Sequence, residues 1–313
     1  MTISTNDEKL IVITDKKSGL PFSKGILASS ISVTGLDVIN SYRIAYDIEQ
    51  YLLKNNSSSI SLEELRALVF RFIKEEEGME NAEKYMLWQS VGKLNKPIII
   101  LIGGATGVGK STIATILANR LNITRVASSD AIREVMRASV SERLIRPLRG
   151  SSYEAYKNLT LPPTGVDPVT LGFREQVMAV IVGIEAIMER SIQEKSDIIF
   201  EGAHVVPGYF DLEKFKDKAL IHQIVISVPD TKIHKEHFTK RTFETQGSRP
   251  MEKYIKSLDK IRMIQEYIEN LAKDNDVNII ENYGLDRTVN VILELLFDRV
   301  RKEFSEIKYD YQD

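Results

Sequence analysis

Three glycines, a lysine and a serine at fixed spacing carry the clearest chemistry in the chain: Gly104-Ala105-Thr106-Gly107-Val108-Gly109-Lys110-Ser111. The pattern G-x-x-x-x-G-K-S follows an apolar run and opens a helical one, which is the context it requires. Glycines let the backbone curl until its N–H groups face a phosphate, and the positive end of the following helix adds to the attraction. In such a loop Lys110 bridges the β- and γ-phosphates, Ser111 offers its hydroxyl to Mg²⁺, and Thr112 reaches the α-phosphate. A glycine-rich turn with this spacing arises by chance in a chain of this length with a probability on the order of one per cent. The stretch from Gly104 to Thr112 is therefore read as a site for ATP and Mg²⁺.

Further candidates stand where predicted strands end. Asp130 follows Ala127-Ser128-Ser129, and a carboxylate there can orient an acceptor hydroxyl or a metal-bound water. Its ordinary alternative is a helix N-cap. Arg133 and Arg137 lie on the same helical face as Asp130. A carboxylate beside two guanidiniums suits an acceptor that is itself anionic, the alternative being a solvated face with intrahelical ion pairs around Glu134. Glu201 ends the run Asp197-Ile198-Ile199-Phe200, the position for a second acidic group beside Mg²⁺ or the acceptor, and Gly202 permits close approach. His204 is read either as a neutral donor to the acceptor, or part of a proton path, or as a structural histidine.

Past the fourth predicted strand of the second part lies a charged segment, Lys232 to Arg249. Arg241 and Arg249 flank a glycine-bearing loop, as expected of a lid that closes over ATP and brings arginines to the transferring phosphoryl group. A solvated basic surface helix is the alternative. Arg262, on the next helix, is a weaker candidate for the same work. Downstream of the phosphate loop there is neither an Asn-Lys-x-Asp element nor an Asp-x-x-Gly switch, which argues against a GTPase. Strand ends that carry groups suited to a small acceptor favour a kinase.

Two parts of different character position these residues. The first, residues 1–93, reads as mostly helical: a short strand near Leu10–Thr14, helical patterns over Lys24–Ser32, Val38–Lys54 and Met79–Val91, and a helix opened by the capping pair Ser61 and Glu64. The second, residues 94–313, alternates apolar strands (Ile98–Ile102, Arg125–Ser128, Asp197–Phe200, Ile221–Val228, Val277–Ile280) with helices at Lys110–Leu121, Asp130–Ser139, Phe173–Glu194, Met251–Lys273 and Leu285–Glu303. That alternation predicts an α/β domain whose parallel sheet is flanked by helices.

Bulk composition narrows the class. A net charge of −2 with 27% charged residues offers no global field for nucleic acid or an anionic membrane. The chain has no cysteine, which removes disulfides, thiolate-bound zinc and cysteine nucleophiles. Met1 to Lys9 is polar and lacks the apolar core of a signal peptide, and the apolar stretch Val177–Met188 is too short to span a bilayer. The expectation is a cytoplasmic protein whose partner is a small anionic acceptor, with room left for a homodimer.

With these residues in place, the chain resembles the archaeal 2-phosphoglycerate kinases. The matching stretches are Ile102 to Thr112, Ser129 to Arg137, Ser151-Ser152-Tyr153, Gly172-Phe173, Glu201 to Gly208, and Gly247-Ser248-Arg249-Pro250, in family order from about Pro97 to Leu296. The resemblance implies a P-loop sheet like that of the nucleoside-monophosphate kinases. It also implies transfer of the ATP γ-phosphoryl group to the C3 hydroxyl of 2-phosphoglycerate, giving 2,3-bisphosphoglycerate. The alternatives are a kinase for another anionic acceptor, such as a phosphorylated polyol or sugar acid, and a non-catalytic ATP-sensing regulator. Residues from about Ile11 to Val91 look like an ATP-cone, through Val12-Ile13-Thr14-Asp15, Pro21-Phe22, Ser29-Ser30-Ile31 and Ala82 to Trp88. The match departs at Ile26, where that module places a lysine; Lys16, Lys17 and Lys24 stand nearby. The module would bind a nucleotide effector or serve a structural or dimerising role. The repressors that carry ATP-cones need a cysteine-rich zinc ribbon, which this chain lacks.

Overall fold

The run Ile98-Ile99-Ile100-Leu101-Ile102-Gly103 is buried at every position, the mark of a strand covered on both faces rather than one half-exposed to water. A computed structural model of the chain describes residues 11–15, 18–141, 144–160, 165, 167–244 and 251–310. Its elements, in order, are β1 (Val12–Asp15), β2 (Ser18–Pro21), α1 (Lys24–Ser32), α2 (Val38–Lys54), β3 (Ser59–Ser61), α3 (Leu62–Glu77), α4 (Met79–Ser90) and β4 (Ile98–Gly103). There follow α5 (Lys110–Leu121), β5 (Val126–Ser128), α6 (Ser129–Ser139), α7 (Pro168–Gln193), β6 (Ile198–Glu201), β7 (Leu220–Ser227) and α8 (Thr231–Glu244). The chain closes with α9 (Met251–Lys256), α10 (Leu258–Asp274), β8 (Asn278–Glu281) and α11 (Leu285–Asp310).

By packing, the chain forms two units: Met1–Leu94 with Arg120–Asn122 and Leu293–Asp313, and Asn95–Asn119 with Ile123–Ile292. The last helix is thus divided between them rather than falling wholly in the second. The first unit is mostly helical, as expected, and encloses a core of Leu27, Ile31, Ile44, Ile48, Val69, Ile73 and Tyr85. It also holds a small sheet in the order β2-β1-β3. Ser61 caps α3 in the expected box, accepting from the Glu64 amide at 3.1 Å while its own amide donates to Glu64 Oε2 at 3.0 Å. Lys24, near the departure from the ATP-cone pattern, pairs with Glu49 at 2.9 Å; Lys16 and Lys17 lie outside the described residues.

The second unit is the predicted α/β domain. Its five strands run in the order β5-β6-β4-β7-β8, and every neighbouring pair is parallel. Parallel neighbours need crossover connections, and the helices between these strands supply them, so both faces of the sheet are covered. β4 sits at the centre of the order, between β6 and β7. The register sets Ile102 beside Glu201, and Glu201 beside Ser128. The ends of β4, β6 and β5 therefore deliver the phosphate loop, Glu201 and the start of α6 to one edge. Ligands bind outside the carboxyl ends of such strands. Among the described residues, no helix is long and apolar enough to cross a membrane.

Candidate active site

The phosphate loop leaves β4 at Gly103 and enters α5 at Lys110. Gly104, Gly107 and Gly109 all have positive φ, at 134°, 89° and 94°, a backbone shape that side chains bearing a Cβ resist. Gly107 also has no room for one, since a Cβ there would meet the ring of Phe238. Lys110 is buried, 8% exposed, and its ammonium donates to Ala105 O at 2.6 Å, so the cation lies back along its own loop. Ser111 Oγ donates to Glu201 Oε2 at 3.0 Å. A serine hydroxyl and a buried carboxylate in contact form an oxygen-only donor set suited to Mg²⁺, which keeps its remaining positions for phosphate oxygens and water. Among the described residues no cluster of three or more histidines and carboxylates is placed to hold a metal.

Asp130 lies in the first turn of α6 with Ser128 at the N-cap, so the N-cap alternative gives way to a carboxylate that is 58% exposed, its Oδ1 3.8 Å from Arg133 Nε. Arg133 departs from the anion clamp expected of it. One of its terminal nitrogens donates to Leu148 O and Gly150 O at 3.1 and 2.6 Å, and the other donates to Glu134 at 2.7 Å. With its side chain only 13% exposed, Arg133 ties the 148–150 segment to α6. Arg137 pairs with the same Glu134 at 2.5 Å but remains 43% exposed, so it keeps the freedom to turn toward an anion.

His204 requires a correction. It is completely buried, with Nδ1 2.9 Å from Ser129 Oγ and Nε2 2.9 Å from Gln176 Oε1. Gln176 gives its amide nitrogen to Pro147 O and Gly150 O, so its oxygen faces the imidazole and can only accept. The proton must then sit on Nε2, leaving Nδ1 to accept from the Ser129 hydroxyl. Burial pushes the imidazole pKa down to about 4; Asp130 pulls the other way, and Arg133 and Lys110 add to the depression. Both nitrogens are taken, and neither is left for an acceptor. Gly202, at φ 146°, allows the β6 exit to approach α6 so closely that a Cβ would run into Ser129.

The charged segment Lys232–Arg249 begins as α8, whose first turns lie on the phosphate loop. His234 Nε2 is 2.8 Å from Thr106 O and His237 Nδ1 is 3.0 Å from Gly107 O. Phe238 stacks on the His234 ring at 5.0 Å and on Tyr254 at 5.0 Å. The side chain of Arg241 and the whole of Arg249 lie outside the described residues. Arg262 donates to Val228 O and Pro229 O, which ties α10 to the end of β7 rather than aiming the guanidinium at a phosphate. Residues not singled out from sequence complete the site: Ser129, Gln176, His234 and His237, and Asn282, whose amide nitrogen is 2.9 Å from Val108 O.

No protein-family model matches the chain. Among curated proteins, one from Methanothermobacter thermautotrophicus named 2-phosphoglycerate kinase is 42% identical over 269 residues, covering 86% of this chain and 87% of its own. Proteins of the same name are 39% identical in Methanococcus maripaludis over 284 residues (90% and 89% covered) and in Thermococcus kodakarensis over 273 residues (87% and 91% covered). Two solved structures align more loosely. A kinase of Chloroflexus aurantiacus, itself described as putative, has 15% identity and a TM-score of 0.35, covering 64% of this chain and 96% of that one. Shikimate kinase from Acinetobacter baumannii has 18% identity and a TM-score of 0.37, covering 67% and 97%. A phosphate loop at the centre of a parallel sheet, in a chain this similar to kinases along nearly its whole length, makes the protein an ATP-dependent phosphotransferase. The chain belongs to the 2-phosphoglycerate kinase family.

Proposed function

We propose that the protein transfers the γ-phosphoryl group of ATP to the C3 hydroxyl of 2-phosphoglycerate, producing ADP and 2,3-bisphosphoglycerate. The observation that carries this reading is the Ser111–Glu201 contact of 3.0 Å, with the exposed Asp130 at the same strand ends. These residues pair a nucleotide–metal side with an acceptor side. The relatives' shared name supplies the acceptor. Asp130 receives a hydrogen bond from the acceptor hydroxyl and takes its proton as the oxygen–phosphorus bond forms and the bond to the β-phosphate oxygen breaks. Lys110 swings from Ala105 O to the β- and γ-phosphates, Arg137 meets the acceptor's negative charge, and Arg241 and Arg249 reach the transferring group. Mg²⁺, held by Ser111 and Glu201, would neutralise charge on the β- and γ-phosphates.

The test is ADP release in the presence of Mg²⁺ and 2-phosphoglycerate, with the product identified by mass and by ³¹P NMR. Turnover that depends on 2-phosphoglycerate, yields a second phosphate ester on C3 and disappears in Lys110→Ala is the expected result. Turnover only with a different phosphorylated acid or polyol would overturn the acceptor while leaving a kinase. No turnover with any acceptor would overturn the catalytic reading of the site.

A further inference from the structure

The loop carbonyls from Ala105 to Gly109 are all engaged. Ala105 O accepts from Lys110 Nζ at 2.6 Å and Gly109 O from the Ile113 amide at 3.0 Å, as the start of α5. The three between them take side-chain donors from distant parts of the chain: Thr106 O from His234 at 2.8 Å, Gly107 O from His237 at 3.0 Å and Val108 O from Asn282 at 2.9 Å. No peptide bond here is cis. In a trans peptide the C=O and the following N–H point in opposite directions. A donor that holds Thr106 O therefore turns the Gly107 N–H the other way, and the same holds for Gly107 O with Val108 N–H and for Val108 O with Gly109 N–H. Successive N–H groups turned to one side make an anion nest.

We propose that His234, His237 and Asn282 are positioning residues for nucleotide phosphates: a brace from outside that sets the inward N–H groups of Gly107, Val108 and Gly109. The inference rests on the nucleotide reading of the loop and not on the identity of the acceptor. Each donor's orientation follows from its surroundings. A carbonyl oxygen only accepts, so the atom facing Val108 O is the Asn282 amide nitrogen, and the imidazole nitrogens facing Thr106 and Gly107 carry protons. Phe238 stacks on His234 with an interplanar angle of 24° and also lies against Gly107, which holds the imidazole plane at the loop. His234 is completely buried, yet its Nδ1 has no hydrogen-bond partner. An unpaired buried acceptor is costly, and a leucine there would avoid it. What the histidine provides in return is the Nε2 donor on Thr106 O.

The test is nucleotide binding by calorimetry with ADP and with adenosine, using the full chain. His234→Leu and His237→Leu each remove one donor, and each is expected to weaken ADP by about five- to tenfold, the worth of one oriented hydrogen bond, while adenosine binds as before. A glutamine amide reaches as far as imidazole Nε2 and an asparagine amide as far as Nδ1. His234→Gln and His237→Asn should therefore restore most of the ADP affinity. His237 is only half-buried and provides the variant that keeps its fold if His234→Leu does not. ADP binding unchanged in His237→Leu would overturn the brace. So would equal weakening of ADP and adenosine, or failure of the amide variants to rescue. A protein that turns over no acceptor but shows the phosphate-dependent loss would sink the proposed reaction and leave the brace standing.

Discussion

The chain has four histidines, so imidazole titration reads this site directly. His204 and His234 are both completely buried, and burial is the main cause that lowers the pKa of each to about 4. In the unfolded chain both titrate near 6.5. The folded pKa is the lower one, so the unfolded state takes up protons first. The stability held by the neutral rings is complete above pH 6.5 and is lost as pH falls toward 4. At pH 5 the shortfall is about 1.5 pH units per ring, or about 2 kcal/mol each at about 1.4 kcal/mol per unit. The two together cost about 4 kcal/mol, a large share of the roughly 5–15 kcal/mol that holds a domain folded. The perturbation is His204→Gln, which cannot titrate. The assay follows the imidazole C2–H signals and the ¹⁵N shifts of the ring nitrogens from pH 7.5 to 5. Two signals should keep neutral shifts throughout, one should vanish in His204→Gln, and its nitrogens should show the proton on Nε2. The variant should also lose less stability on acidification, by about 2 kcal/mol at pH 5. A His204 signal with a midpoint near 6.5, or a proton on Nδ1, would refute both the burial argument and the Gln176–His204–Ser129 chain.

Two further outcomes test the neighbouring groups. Glu201→Gln keeps the shape of the side chain but removes the charge beside Ser111; the Mg²⁺ concentration for half-maximal activity should rise roughly tenfold, while ADP binding in EDTA stays the same, and an unmoved Mg²⁺ requirement would place the metal elsewhere. Arg249→Ala should lower kcat by at least about a hundredfold with little change in ATP affinity, measured by pre-steady-state and equilibrium titration; an unchanged kcat would remove Arg249 from the transferring group.

What could be read in the sequence follows the range of each interaction. α2 matches its expected bounds because an amphipathic period and a local cap define it: Asp37 accepts from the Asn40 amide at 2.8 Å at the start of α2. That β6 ends on an acid, Glu201, was legible because an apolar run that stops at an acid needs no distant partner to be noticed. β2 and β3 were not: Ser18–Pro21 carries a glycine and a proline, and Ser59–Ser61 falls partly in a polar break. They are strands because β1 pairs with both. The single helix expected over Met251–Lys273 is two, interrupted at Ser257. His204 stood out by its position, but its role is set by Ser129 and Gln176, which lie 75 and 28 residues away. No local period reports such pairings. The donors on the phosphate loop, 128, 130 and 174 residues from their carbonyls, were equally invisible.

The same long-range bonds constrain the lid proposed for this segment. Read as sequence, Lys232–Arg249 is one charged segment that could swing as a whole. A hinge before Thr231 would have to break the His234–Thr106 and His237–Gly107 hydrogen bonds and pull Phe238 from between His234 and Tyr254. It would also leave two buried or half-buried loop carbonyls without donors, a cost of the order of 1–3 kcal/mol for each one kept from water. A hinge after Phe238 breaks none of these. The first two turns of α8 are therefore held on the phosphate loop, and a lid as proposed for Arg241 and Arg249 would have to hinge beyond Phe238.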